Sequence, residues 1–272
     1  MSRFRNAALS EPVGRDGVRL LTMYSPALKS RADVTVHIPE GHEREPLPLL
    51  ILLHGVHGSH WNWWAMGKVP QTAKALLHAG AIQPFAIAMP SDGLWGDGTG
   101  YLPHRDFNAE AWIADDLPAC LGELFPQVRT ERYYLAGLSM GGYGALRLGM
   151  KYAQRVKGIS AHSAVTSIED LAPLVGEPLE KYRISGRENI EIEHWAETNR
   201  AILPPIRFDC GRQDSLLQAN RCLHAKLLNH GIAHTYEENA GGHTWDYWRT
   251  HVRSTLRFIS AIEESSRDRD PS

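Results

Sequence analysis

Cysteine is scarce in this chain of 272 residues: Cys120, Cys210 and Cys222 are the only three, and no two lie close together. An odd, scattered set provides neither a disulfide framework nor a C-x-x-C redox or zinc pair. A surplus of one charge sign is also lacking. Lys and Arg number 29 against 31 Asp and Glu, a formal net charge of -2, so there is no electrostatic ground for nucleic acid or an anionic membrane as a partner. The longest apolar run, LPLLILL (Leu47–Leu53), is far short of a membrane span. The opening MSRFRNAALSEPVGRDG holds no apolar stretch of the length a secretory signal needs. These absences lead us to expect a soluble protein of the cytoplasm.

Repeats and low-complexity blocks are missing too, while 43% apolar and 22% charged residues are ordinary for a globular chain. β-like and helix-like runs alternate along it. VRLLTMYS and ADVTVHIP predict an antiparallel hairpin, and PLLILLHG a strand buried on both faces. QTAKALLHAG reads as a helix ending at Gly80, and FAIAMP as the next strand. NAEAWIADDLPACLGELF reads as a helix that Pro118 should kink or shift. The later strands RYYLAGL, VKGISAHSA, PIRFDCG and HTYEEN are each separated by helical segments, and a long helix closes the chain. The fold class expected is α/β, with a mostly parallel sheet, helices on both faces and an N-terminal antiparallel hairpin. Residues 1–16 and 264–272 are expected to be unordered, with one domain over 17–263. Residues 165–204 break the alternation and read as a helical insertion that forms part of the rim and limits acyl length.

The densest glycine cluster surrounds Ser139, in YYLAGLSMGGYGALRLGM (Tyr133 to Met150). Gly137-Leu138-Ser139-Met140-Gly141 fits G-x-S-x-G, the sharp strand-to-helix turn that exposes a serine hydroxyl. An activated serine needs a base and a group that orients the base, in the chain order serine, acid, histidine. Asp214 follows the strand PIRFDCG, and His243 sits on the glycine-softened loop in ENAGGHTW. A simple helix-capping role for Asp214 and a surface position for His243 are the competing readings. Asp209, inside the strand, and Asp170, in the insertion, are the rival acids. The backbone N–H groups of Val56 and Met140 are the candidate oxyanion-hole donors.

His54, His57 and His60 raise a zinc reading by their spacing of three. Gly55 and Gly58 interrupt that cluster and no carboxylate lies within it, so no metal is expected. His54 is instead placed beneath the oxyanion loop. Trp61, Trp63, Trp64, Trp95, Trp245 and Trp248 fall near loops at the active end. His54, Trp95 and Trp245 are the candidate substrate contacts, with core packing the competing role for each tryptophan.

LLHGVHGSHWNWW, GLSMGGYGALRLG, GRQDSLLQANRCLHAKLLNHGI and GGHTWDYWRTHV together resemble the esterase D-like family of α/β-hydrolases, over roughly Val18 to Ile262. The short-chain, tributyrin-type carboxylesterases look most similar. The resemblance implies an α/β-hydrolase fold, Ser139, Asp214 and His243 as the triad, a small-molecule ester as substrate and no cofactor. It allows a homo-oligomer, with no interface marked in the sequence. The chain lacks the "GLTCT" type stretch of formylglutathione hydrolases, and carries His54 where mycolyltransferases have an acidic residue. A thioesterase and an acyltransferase with the same triad are the alternative activities.

Overall fold

The computed structural model describes residues 7–14, 16–182 and 190–267. Nine strands form one sheet: β1 (Ala8–Leu9), β2 (Val18–Ser25), β3 (Ser30–His37), β4 (Leu47–Leu53), β5 (Ala86–Pro90), β6 (Val128–Leu138), β7 (Val156–His162), β8 (Ile206–Gly211) and β9 (Thr235–Asn239). Their spatial order is β1-β2-β3-β5-β4-β6-β7-β8-β9. The β1–β2, β2–β3 and β3–β5 pairings are antiparallel; every later pairing is parallel. The hairpin and the parallel sheet expected from the sequence are both present.

Strand β4 shows why the sheet is covered on two faces. All its residues are buried, and the alternation of a strand sends successive side chains to opposite sides. Leu49, Ile51 and Leu53 join one apolar core, with Trp112, Leu117, Tyr143 and Leu148. Leu50 and Leu52 join the other, with Val69, Ala73, Val252 and Leu256. Each such leucine stabilises the fold by roughly 1.5–3 kcal/mol relative to exposure, so β4 cannot occupy a sheet edge without heavy loss. The helix Val69–His78 and the closing helix Trp245–Arg267 lie on the second face. No helix among the described residues is long and apolar enough to cross a membrane.

Pro118 neither breaks nor sharply ends its helix. The helical run passes from Ala109–Ala111 through a π-turn, Trp112–Asp116, into Leu117–Leu124. Proline lacks an N–H and crowds the carbonyl four residues earlier, here that of Ala114. Arg155 Nη2 and the Tyr133 hydroxyl donate to that freed carbonyl from β6 and the turn after the helix Met140–Lys151. The local misfit is thereby satisfied by tertiary partners.

Two expected boundaries are wrong. Within residues 1–16, Ala8 and Leu9 pair with Thr22 and Leu21, and the Leu20 amide donates to Ser10 Oγ. The free edge of β2 offers these backbone groups a partner, and Leu9 packs against the core. Residues 1–6 lie outside the described residues. At the other end the closing helix continues to Arg267. It is anchored where buried Glu263 accepts from Tyr134 and Arg129 and meets Lys157; residues 268–272 again lie outside the described residues.

The segment 165–204 carries, where described, short helical pieces, Ile168–Leu171, Ala172–Leu174, Leu179–Tyr182, Ile192–Thr198 and Arg200–Ile202, joined by irregular turns. Residues 183–189 are outside the described residues. Its side chains grip the neighbouring structure. The Asp97 amide donates to Glu177, the Gly176 amide to Asp97, the Tyr182 hydroxyl to the Gly98 carbonyl, and Asn199 to the Met150 carbonyl.

Beneath that segment the helix Met140–Lys151 carries a buried cation. Arg147, fully buried, donates to Glu110 at 2.7 Å and to the Tyr101 carbonyl at 2.7 Å. Glu110 also accepts from Lys151 and Tyr152. Burial alone would raise the Glu110 carboxyl, but Arg147 and these donors outweigh it and lower its pKa. Losing the hydrogen bond from Arg147, with Lys151 and Tyr152 still holding Glu110, costs about 1.5–3 kcal/mol. Arg147→Met should therefore lower the unfolding free energy in urea by about that amount; a change below about 1 kcal/mol would refute this account of the pair.

Candidate active site

Strand β6 ends at Leu138, and the helix Met140–Lys151 begins one residue beyond Ser139. Ser139 adopts φ 53° and ψ -121°, a left-handed backbone that costs a non-glycine residue of order 1–3 kcal/mol. Packing holds it there. A Cβ at Gly141 would lie 2.4 Å from the Leu53 carbonyl oxygen and 2.5 Å from that of His54; one at Gly137 would lie 2.3 Å from the Gly141 carbonyl oxygen. Glycine at these two places lets the turn close directly against the end of β4. Two backbone bonds complete the clamp, from the Ser139 amide to the His162 carbonyl at 3.0 Å and from the Val165 amide to the Ser139 carbonyl at 3.0 Å.

The chain brings the three expected side chains together. His243 Nε2 lies 3.0 Å from Ser139 Oγ, and His243 Nδ1 lies 3.0 and 3.1 Å from the two carboxylate oxygens of Asp214. The Asp214 side chain is fully buried, whereas that of His243 is 27% exposed. Burial would raise the Asp214 carboxyl. The hydrogen bonds from His243 and from the Leu216 amide, the latter 2.8 Å, outweigh it and lower its pKa. Asp214 thus meets the imidazole and accepts from the amide at the start of the following turn with the same carboxylate.

The rival acids are engaged elsewhere. Asp209 is buried against His162, Arg207 and Tyr247. Asp170 accepts from Thr166 near the start of the helix Ile168–Leu171.

His54, His57 and His60 point to different partners. His54 Nδ1 donates to the Gly55 carbonyl at 2.7 Å while its Nε2 accepts from the Asp92 amide at 3.0 Å. His57 is exposed, 3.6 Å from Asp97, and His60 pairs with Thr35. Among the described residues no three His, Cys, Asp or Glu side chains are grouped to hold a metal ion.

A cleft of about 350 Å³ opens over Ser139 and His243. Gly55, Val56, Asn62, Leu138, Thr244, Trp245 and Trp248 are among its walls. Of the three expected substrate contacts, only Trp245 lines it. His54 is 1% exposed and packs beneath the loop, because both its ring nitrogens are taken by backbone. Trp95 packs instead against His104, Phe107 and Tyr182. The segment 165–204 contributes no described residue to the wall. It approaches through the Val165 amide on the Ser139 carbonyl and through the loop it grips, where Gly98 packs against Val56 and Met140.

Val56 and Met140 flank the serine. Met140 is the first residue of its helix, so its N–H has no partner within that helix. The Gly55 carbonyl is held by His54 Nδ1 and by the Gly58 amide. A trans peptide sets its carbonyl and N–H on opposite sides, so fixing the Gly55 carbonyl also fixes the direction of the Val56 N–H. Trp63 Nε1 donates to the Leu53 carbonyl and the Tyr101 hydroxyl to the His54 carbonyl, steadying the same loop.

Sequence reasoning placed Trp248 near the active end without its contact with His243, and missed Ser163 altogether. Trp248 sets its ring edge to face against His243, centroids 4.9 Å apart at 87°, with Trp245 T-stacked behind it at 5.2 Å. Its spacing from His243 was visible, but not its ring orientation. Ser163 lies at φ 47° and fully buried beside Asp214 and Trp248. No local sequence signal marked it. Gly141→Ala should overpack the clamp against rigid backbone, lowering stability by about 1–3 kcal/mol or more. Chemical denaturation and ester turnover measure it, and a variant with unchanged stability and rate would contradict the steric account.

Comparisons with known proteins agree with this architecture. The family described as "Putative esterase" matches residues 25–259. An acetyl esterase of Caldicellulosiruptor saccharolyticus is 27% identical over 90% of this chain and 98% of its own length. A solved ferulic acid esterase superposes with a TM-score of 0.78 at 25% identity, covering 90% of this chain and 97% of that one. An S-formylglutathione hydrolase from Agrobacterium tumefaciens shares the fold, with a TM-score of 0.78 at 19% identity over 96% and 99% of the two chains. With the family match spanning most of its length and an α/β-hydrolase sheet beneath the serine, the chain belongs to this esterase family and is a serine hydrolase of carboxylic esters.

Proposed function

We propose that the enzyme cleaves short-chain or small-alcohol carboxylic esters through a Ser139–His243–Asp214 triad and an acyl-enzyme intermediate. The observation that carries this reading is the continuous hydrogen-bond path from Ser139 Oγ through His243 to the buried Asp214 carboxylate. Ser139 Oγ attacks the ester carbonyl while His243 Nε2 takes its proton. Asp214 keeps Nδ1 protonated, so Nε2 is the free base, and it stabilises the imidazolium that forms. The same proton then goes to the departing alcohol oxygen, leaving Ser139 acylated. Water attacks next, with His243 again as the base, and releases the acid and the free serine.

The N–H groups of Val56 and Met140 are assigned to the developing oxyanion. The helix start at Met140 and the tethered Gly55–Val56 peptide support this assignment. Each such donor contributes about 10²–10³ in turnover. The small substrate is supported by a cleft of about 350 Å³ whose walls, among the described residues, carry no lysine, arginine or carboxylate. The names of the acetyl esterase and ferulic acid esterase relatives point to the same class of neutral ester. Trp245 is proposed as the apolar wall for the acyl or alcohol group.

Ser139→Ala should lower turnover of p-nitrophenyl acetate by about 10⁴-fold or more, because the base and acid act only through that hydroxyl. A fluorophosphonate should label Ser139 in the folded protein and leave the variant unlabelled. Retained activity in Ser139→Ala, or labelling elsewhere, would overturn the triad assignment. A panel of acyl chain lengths, with a glutathione thioester included, measures the substrate class; a thioester turned over faster than the acetate would overturn the oxygen-ester preference.

A further inference from the structure

The Val56 amide, assigned above to the oxyanion, has a tethered peptide on each side. Before it, the Gly55 carbonyl accepts from His54 Nδ1 at 2.7 Å, and His54 Nε2 is itself held by the Asp92 amide at 3.0 Å. After it, the His57 amide donates to the Asp97 carbonyl at 2.7 Å. With both flanking peptides held, the φ and ψ of Val56 are fixed, and so is the direction of its N–H. Both tethers lead to one loop, residues 92–99, which follows β5. Gly98 on that loop faces both candidate donors: a Cβ there would lie 2.5 Å from Met140 Sδ and 3.4 Å from Val56 Cγ1.

The two parts of the loop are secured differently. Its start is locked by its own Asp92, whose buried carboxylate accepts from the Leu94 and Thr99 amides and from the Thr99 hydroxyl. The turn at residues 96–98 is held from outside, by the segment 165–204. Glu177 Oε1 accepts from the Asp97 amide at 3.0 Å, and the Gly176 amide returns a bond to Asp97 Oδ2 at 2.7 Å. The Tyr182 hydroxyl donates to the Gly98 carbonyl at 2.7 Å. The Glu177 carboxylate lies so close to the turn that a Cβ at Gly96 would sit 2.2 Å from Oε1, and Gly96 has a φ of +57°. Glycine serves there on both counts, leaving room for the carboxylate and taking the left-handed backbone without strain.

We propose that Glu177 is a positioning residue for ester hydrolysis: by holding the Asp97 amide it sets the carbonyl that anchors the His57 amide, and so aims the Val56 N–H at the oxyanion. This rests on the triad and oxyanion reading above. Glu177 is not among the described walls of the cleft, so it acts on geometry and not by touching substrate. The segment 165–204 thereby bears on the rate of the chemical step.

Glu177→Ala removes the acceptor, and Glu177→Gln keeps one. We expect Glu177→Ala to lower kcat on p-nitrophenyl acetate about 10-fold, short of the 10²–10³ for losing a donor outright. KM should stay within about twofold, since the interaction is made only in the transition state. Glu177→Gln should remain within about twofold of wild type. Tyr182→Phe deletes a single oxygen from the other grip on the turn and should give a loss of the same kind; it stands in if Glu177→Ala does not fold. The readout specific to the oxyanion is the thionoester of the same acid and alcohol, whose sulfur is a poor partner for amides placed around oxygen. Wild type should favour the oxygen ester by about 100-fold or more in kcat/KM, and Glu177→Ala should narrow that ratio about 10-fold. An unchanged kcat would overturn the proposal. So would an equal loss on both esters, the signature of a structural role, or a Glu177→Gln as impaired as Glu177→Ala. The wild-type ratio separates the two failures. A wild type without preference for the oxygen ester sinks the oxyanion assignment and the role of Glu177 with it. A wild type that discriminates, with variants that match it, sinks the role of Glu177 alone.

Discussion

Everything at the site depends on the closure of the Gly137–Gly141 turn against the end of β4. The two elements approach so closely that a single methyl group at Gly141 would sit 2.4 Å from a carbonyl oxygen. That proximity forces the serine into its left-handed backbone and starts the helix at Met140. It also places the loop after β4 beside the hydroxyl. The exposed serine and both candidate oxyanion amides are therefore consequences of one steric fact. The strain of order 1–3 kcal/mol is balanced by burial along β4 and the apolar helix that follows.

Left-handed backbone is concentrated at this end of the sheet. His57, Leu94, Tyr101, Ser139 and Ser163 all have positive φ, although none is glycine. All but Leu94, whose amide bonds Asp92 on its own loop, are tied by hydrogen bonds to another segment. The His57 amide binds the Asp97 carbonyl, the Tyr101 hydroxyl binds the His54 carbonyl, and Trp248 binds Ser163. Loops under strain are rigid only when cross-tied in this way. The arrangement holds backbone amides in a fixed direction without bound substrate, which is the condition for electrostatic preorganisation.

The sheet and the three side chains on its edge were legible in the sequence because their signals are local. Apolar runs mark β4, β5 and β6, glycine spacing marks the turn at Ser139, and the place of Asp209 inside its strand leaves Asp214, on the loop beyond, as the expected acid. What could not be read depends on distant partners. Pro118 has the sequence of a helix breaker, yet Arg155 and Tyr133, far along the chain, satisfy the carbonyl it frees. Ala8 and Leu9 are ordered by the edge of β2 rather than by their own propensity. His54 looked like a cleft residue until the Asp92 amide, from another loop, claimed its second nitrogen. Ser163 has the same character: its conformation is imposed from outside, so no window of sequence contains the cause.

The protein holds a second His–Asp pair that makes plain what the first one needs. His162 Nδ1 lies 2.8 Å from Asp209, as close as His243 is to Asp214, and both residues are fully buried. Burial alone would raise the Asp209 carboxyl, but His162 and Arg207 together hold it well below the usual carboxylate range. The outer nitrogen of His162 is occupied by Thr255 at 2.8 Å, and the side chain is fully buried. The pair is electrostatically similar to the triad but closed: its imidazole has neither a free hydroxyl to activate nor a route for substrate. His243 keeps its outer nitrogen on Ser139 and part of its ring in the cleft. A histidine–carboxylate pair is thus a common solution for satisfying buried groups in this sheet. Only where glycine lets a strained turn present a hydroxyl to the open end does such a pair meet both a serine and a cleft.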